Sequence, residues 1–358
     1  MINEIELKLA VSPETFHLLE KHLQQFNPLV RESICLGNTY YDYPDHFLAK
    51  QKMGLRIRQE NQTLTLTLKT NGEVVGGLHH RPEYHLPLDK KDVPTNDQLR
   101  TLYPFEQLPA TSLKPIFSTD FNRTFWLVKF RDAKIEVAFD QGEIVSGERS
   151  QPICEIEFEL KEGKVSDLFY FVEELPVLTD IYFSSASKAK RGYQLSRPVV
   201  LTDWLNKWRD FLNQEREESA VDFNAKFHRL LKMEQALVEE TLSLPPSLFS
   251  QDFMKTVERV GAFFNLYHYY DENKALFEQI LEQASGSAII EDDILPQLLE
   301  SNQTFLNKIQ ALIRFHSETK DNEKTIEKLT ALFTTRLYFE RMMKLMRLAV
   351  SGESSVYH

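Results

Sequence analysis

The chain has 358 residues, with 53 acidic against 42 basic side chains and a formal net charge of −11 at pH 7. That balance argues against a broad nucleic-acid surface while leaving room for a locally basic pocket. With no apolar run of about 18 residues, no basic-then-apolar leader and only Cys35 and Cys154 as thiols, the sequence predicts no membrane span, secretory signal, disulfide framework or zinc cluster. It predicts a cytoplasmic protein with two buried cysteines.

The first predicted element is a strand at Glu4-Ile5-Glu6-Leu7-Lys8. Side chains alternate across an extended strand, so Glu4, Glu6 and Lys8 share one face and Ile5, Leu7 and Leu9 the other. The same alternation recurs along the chain. Arg56 and Arg58 alternate with Leu55 and Ile57; Thr65, Thr67 and Lys69 alternate with Leu64, Leu66 and Leu68; Arg81, Glu83 and His85 share a parity. Further on, Lys134, Glu136 and Asp140 alternate with Ile135, Val137 and Phe139, and Glu155, Glu157, Glu159 and Lys161 alternate with Ile156, Phe158 and Leu160.

A solvated sheet face tends to place opposite charges across from one another. Here like charges gather on single strands: Glu4 with Glu6, Arg56 with Arg58, Glu155 with Glu157 and Glu159. Clustered carboxylates suit hard divalent cations, and clustered Arg and Lys suit phosphate oxygens. A site holding both is expected to bind a polyphosphate together with its metal ions.

Later segments are helical by pattern. Ser185 to Leu195 reads as a short helix with Lys188 and Arg191 basic and Gly192 as its stop. Nine of the 12 Gly and 12 of the 15 Pro precede Trp204, and Trp204, Trp208 and Leu212, then Leu329, Phe333 and Leu337, fall at helical spacing. Two domains follow, residues 1–200 and 205–358, in agreement with a prior of roughly 150 residues per domain. The fold class predicted is α+β.

The ordered set E-x-E-x-K at 4–8, L-R-I-R at 55–58, T-L-T-L-K at 65–69, R-P-E at 81–83, E-V-A-F-D at 136–140, C-E-I-E-F-E-L at 154–160 and S-K-A-K-R-G-Y at 187–193 resembles the CYTH superfamily, also called triphosphate tunnel metalloenzymes. The stretches G-N-T-Y-Y-D (37–42), G-G-L-H-H-R-P-E-Y (76–84) and F-S-T-D-F-N-R (117–123) look most like its long bacterial inorganic triphosphatases with a helical C-terminal region. The resemblance implies an eight-stranded antiparallel β-barrel whose charged lumen is the active site, followed by an all-α bundle. It also implies Mg²⁺ or Mn²⁺ as cofactor and tripolyphosphate as substrate, with thiamine triphosphate, another organic triphosphate or a non-catalytic polyphosphate-binding role as alternatives. Neither nucleic acid nor membrane is expected as a partner.

Within that frame Glu4, Glu6, Glu155, Glu157 and Glu159 are the expected metal ligands. Lys8, Arg56, Arg58, Lys69, Arg81, Arg123 and Lys188 are the expected phosphate contacts, with internal salt bridges as the alternative reading. Lys8, Lys69, Asp140 and Glu83 are the expected catalytic residues, and His85 stands where many relatives carry an acid. From Trp204 onward acids outnumber bases and His228, His268 and His316 are isolated, so residues 205–358 read as a degenerate CHAD-like bundle. Its one basic concentration, Arg336, Arg341, Lys344 and Arg347, is equally well read as a solvated helical face.

Overall fold

The computed structural model describes residues 2–176, 181–198, 200–217, 222–245, 247–284, 290 and 293–351. The elements run β1 (Ile2–Ala10), α1 (Thr15–Leu23), β2 (Val30–Asp42), α2 (Phe47–Lys50), β3 (Gly54–Glu60), β4 (Thr63–Lys69), β5 (Glu73–Val75) and β6 (Leu78–Leu88). They continue with α3 (Asn96–Leu102), β7 (Lys114–Phe130), β8 (Ala133–Ser146), β9 (Arg149–Glu162), α4 (Val165–Glu173), the two-residue strand β10 (Tyr182–Phe183) and α5 (Lys188–Leu195). The chain divides into two compact units, Met1–Pro176 with Ala186–Val200, and Val177–Ser185 with Leu201–His358.

The first unit is a closed antiparallel barrel. Its eight strands follow the order β1-β9-β8-β7-β2-β3-β4-β6, and β6 returns to pair with β1. Closure leaves no free edge on these strands. Period-2 alternation sorts the residues as the sequence implied. Leu55, Ile57, Leu66 and Leu68 are fully buried on the outside, where they form one core with Tyr41, Tyr43, Leu48 and, from α3, Leu99 and Leu102. A capping box between Thr95 and Gln98 starts α3. On another side Phe158 of β9 meets Phe171 of α4, which also packs edge-on with Phe26 and Phe130.

Inward-facing positions are polar along most of the barrel, and register places them in rings. Glu157 lies opposite Lys8 and Ala138, Asp140 opposite Arg123 and Glu155, Arg56 opposite Tyr40 and Thr67, and Lys69 opposite Glu83. Toward one end the inner face turns apolar, and Leu36, Tyr40, Phe117, Phe121, Ile144 and Ile153 cluster with Tyr193 of α5. That helix begins at Lys188, later than the expected Ser185, because the Ser187 hydroxyl accepts from the Lys190 N–H and so makes Ser187 the N-cap. Gly192 does not stop it; the helix runs on to Leu195, and a Cβ at Gly192 would overlap the Phe117 ring. The residue serves close approach rather than termination. Cys35 is exposed rather than buried, with its thiol donating to Asn122 Oδ1 at 3.0 Å, and Cys154 is only half-buried.

The second unit is helical: α6 (Trp204–Glu217), α7 (Phe223–Ser243), α8 (Ser247–Ser250), α9 (Phe253–Glu272), α10 (Lys274–Gln283), α11 (Ile294–Thr319), α12 (Asn322–Phe333) and α13 (Arg336–Ser351). Among the described residues no helix is long and apolar enough to cross a membrane. Trp204, Trp208, Leu329 and Phe333 are buried as their spacing implied, whereas Leu212 and Leu337 are exposed. The solvated-face reading of the late basic residues fails for Arg341 and Arg347, both buried. Arg341 reaches across the bundle core to the fully buried Glu234, with Nε to Oε1 at 3.2 Å, and donates to Ser301 Oγ at 2.7 Å. Tyr267 and Tyr270 also donate to the two Glu234 oxygens, at 3.2 and 2.9 Å. One carboxylate thereby joins α7, α9 and α13. Replacing Arg341 by Leu would strand it, so the unfolding free energy is expected to fall by about 3–5 kcal/mol, read as a lower denaturant midpoint. An unchanged midpoint would mean that Glu234 does not depend on its cation.

Candidate active site

Four strands and one helix deliver the densest charge. Asp140 of β8 and Glu155 and Glu157 of β9 are buried, and one oxygen from each lies within 4.8 Å of the others. Lys8 of β1 reaches Glu157 at 2.7 Å, Glu6 at 3.4 Å and Glu155 at 3.6 Å. Arg123 of β7 clasps Asp140 through two 2.7 Å hydrogen bonds, from Nε and Nη2, and touches Glu157. From α5, Lys188 Nζ meets Asp140 at 2.6 Å, Glu157 at 3.0 Å and also Glu155, and Arg191 reaches Glu155 at 3.3 Å. Lys190 is exposed.

The electrostatics follow from this packing. Burial alone would lower the Lys8 and Lys188 ammoniums, but the carboxylates around them outweigh it and raise both. Burial likewise works to raise Asp140 and Glu157, and the surrounding Arg123, Lys188 and Lys8 charges overcome it and hold both carboxyls below their ordinary range. Lys8, Lys188, Asp140 and Glu157 therefore favour their ionised forms in one another's presence.

A second group lies along β1, β4 and β6. Lys69 contacts Glu4 at 2.6 Å and Glu83, while His85 stands 3.4 Å from Glu83 and bonds Thr67 through Nδ1 at 3.2 Å. Burial would raise Glu83, yet Lys69 and Arg56 hold it down at about 2. Nearer the other strands of the lumen, Lys161 bridges Glu159 at 2.7 Å and Glu136 at 3.4 Å, and burial keeps the Glu159 carboxyl up at about 7 in spite of that cation.

Arg56 and Arg58 differ from every cation above. Among the described residues neither makes an ion pair: Arg58 Nε donates to Asn38 Oδ1 at 3.1 Å, and Arg56 Nη1 to the Tyr40 hydroxyl at 3.4 Å. The buried Arg56 Nε and the Arg81 Nε have no hydrogen-bond partner. Burial, with Arg56 and Arg123 beside it, pulls the Arg58 guanidinium down to about 10, which leaves it charged at pH 7. These forks point positive charge into the lumen with no carboxylate of the described residues in close ion-pair contact, Glu83 acting on Arg56 only from a distance.

Of the five carboxylates expected as metal ligands, Glu155 and Glu157 lie in the trio, joined by Asp140, which the sequence places among the catalytic residues. Glu4, Glu6 and Glu159 face the same lumen but sit with Lys69, Lys8 and Lys161. Sequence reasoning missed Asn38, Tyr40 and Asp42. The signal was present, since Asn38 and Tyr40 alternate with Thr39 and Tyr41 inside the quoted G-N-T-Y-Y-D stretch.

The CYTH domain family matches residues 3–193. An inorganic triphosphatase of Haemophilus influenzae is 69% identical over 349 residues, which cover 98% of this chain and 98% of that protein. Among solved structures, an adenylyl cyclase candidate from Hippeastrum with a dominant triphosphatase activity is 23% identical, with a TM-score of 0.37 over 53% of this chain and 96% of that one. An adenylate cyclase candidate from Bacillus halodurans is 26% identical, with a TM-score of 0.32 over 45% of this chain and 83% of that one. The chain belongs to the CYTH domain family.

Proposed function

We propose that the chain is a cytoplasmic hydrolase that splits inorganic tripolyphosphate into pyrophosphate and phosphate inside the barrel lumen. The observation that carries this reading is a buried all-oxygen trio, Asp140, Glu155 and Glu157, in the same lumen as the forks of Arg56 and Arg58, which make no ion pair among the described residues. The named activity of the 69% identical Haemophilus influenzae protein supports it.

Three carboxylates with no sulfur or imidazole among them fit a hard divalent cation. Magnesium or manganese bound there would offset phosphate charge and make a bound water more acidic. The remaining work falls to the chain. Arg56 and Arg58 hold phosphate oxygens through planar two-point hydrogen bonds, with Arg81 and Lys69 beside them. Lys8, Arg123 and Lys188 trade carboxylate partners for phosphate oxygens, so charge on the departing pyrophosphate is met by groups already in place. Glu83, held at about 2, is too weak a base to take a proton at neutral pH and instead fixes Lys69. The apolar inner cluster around Tyr40 and Phe117 borders the Arg56 guanidinium, which donates to the Tyr40 hydroxyl.

The test is phosphate release from tripolyphosphate, thiamine triphosphate and ATP side by side, with Mg²⁺ and with Mn²⁺. Tripolyphosphate is expected to turn over fastest. Preference for an organic triphosphate would move the substrate assignment, and metal-independent binding without turnover would make the barrel a polyphosphate sensor.

A further inference from the structure

Lys188 presents a positioning problem, and the reading above depends on its solution. Its ammonium is held by Asp140, Glu155 and Glu157, the same oxygens proposed for the metal. Once a cation and a phosphate chain compete for those partners, α5 needs an anchor that they do not disturb.

Five residues further along the helix, the Tyr193 hydroxyl donates to Asp42 Oδ2 at 2.9 Å. Asp42 is fully buried at the end of β2, just past an irregularity in the β2–β7 register between Tyr40 and Tyr41. Its other acceptor sites are filled by backbone N–H groups of Tyr43 (2.8 Å), Leu48 (2.9 Å) and Ala49 (3.0 Å), so the carboxylate caps α2 and grips α5 at once. Four donors on one buried carboxylate leave it no rotational freedom. The helix is seated as well as gripped. Tyr193 packs edge-on to Phe117 at 5.2 Å, Gly192 lies flush against the same ring, and Phe117 stacks on Tyr40 at 4.4 Å, next to the Arg56 fork. Burial and the Asp42 charge both raise the Tyr193 phenol, which keeps its proton and remains the donor.

We propose that Asp42 and Tyr193 are positioning residues that lock α5 across the barrel end and hold Lys188 at the phosphate chain independently of the carboxylates it contacts. The inference rests on the triphosphatase reading and adds the device that keeps its helical lysine in place. In this proposal neither residue binds substrate, and their effect passes through the placement of Lys188.

A double-mutant cycle on the full chain tests this, with Tyr193→Phe, Lys188→Met and the pair, reading kcat/KM for tripolyphosphate and, by calorimetry without metal, its binding. Tyr193→Phe is expected to lower kcat/KM about 10- to 100-fold in otherwise native protein, the scale of a misplaced or unsupported catalytic group. In the Lys188→Met background the same change is expected to add less than about twofold. Losses that multiply, or a Tyr193→Phe protein with wild-type kcat/KM, would overturn the lock. If Tyr193→Phe does not fold, Asp42→Asn carries the same cycle, since its amide cannot accept from all four donors and so loosens the grip on the Tyr193 hydroxyl. Wild-type protein that binds tripolyphosphate without hydrolysing it would refute the triphosphatase reading, while the calorimetric cycle would still decide the lock.

Discussion

Glu157→Gln is expected to reduce metal-dependent tripolyphosphate hydrolysis by about 100-fold or more. Loss of a partner one layer removed from a metal typically costs 10- to 100-fold, and a member of the oxygen trio itself should cost at least that. The change keeps side-chain volume but removes one of three clustered charges. It also releases Lys8 and Lys188, which contact Glu157 at 2.7 and 3.0 Å, and Arg123, which touches it too. Cations freed from a competing carboxylate should hold metal-free tripolyphosphate as tightly as wild type or tighter. Turnover down and anion affinity level or up, measured on one folded variant by phosphate release and calorimetry, is the signature. Near-normal turnover would remove Glu157 from the metal site.

Arg58→Ala is expected to have the opposite signature. Loss of a charge-assisted fork costs about 1.5–3 kcal/mol, so the tripolyphosphate Kd should rise about 10- to 100-fold while metal affinity stays put. Because Arg58 makes no ion pair among the described residues, its removal uncovers no carboxylate. It also relieves crowding by Arg56 and Arg123, whose charges, after burial, pull the Arg58 pKa down. The melting temperature is therefore expected to hold or rise. A Kd unchanged by the substitution would leave Arg58 a structural partner of Asn38.

What the sequence disclosed, and what it hid, divides along a physical line. Alternation within one strand is a local property, so the inward facing of Glu4, Glu6, Lys8, Arg56, Arg58 and Glu157, and the outward facing of Leu55, Ile57, Leu66 and Leu68, were legible without coordinates. Which inward residues meet depends on the stagger between strands. Asp140 lies opposite Glu155, while Glu4 lies opposite Arg81, and no single strand's pattern contains either fact. The helical half illustrates the same limit. A buried Arg341 carries the same letter as a solvated one, and only the arrival of Glu234, Tyr267 and Tyr270 from two other helices distinguishes them. Gly192 has the look of a helix stop because its other use, clearance for Phe117, involves a residue far away in the chain.

Barrel closure has a consequence for how activity is acquired during folding. Strand β1 is hydrogen-bonded on one edge to β6 and on the other to β9, so the first strand made waits for the last of the eight barrel strands before the ring closes. Contacts of such long sequence separation slow folding and form late. The basic forks on β3 emerge early during synthesis, whereas the acidic trio is divided between β8 and β9 and emerges last. A nascent or nicked chain lacking β9 would carry the basic forks of β3 without Glu155 and Glu157, two of the three members of the trio. Catalytic competence should therefore appear in one step with ring closure, so that activity recovered on refolding tracks β1–β9 pairing and not the earlier formation of the hairpins.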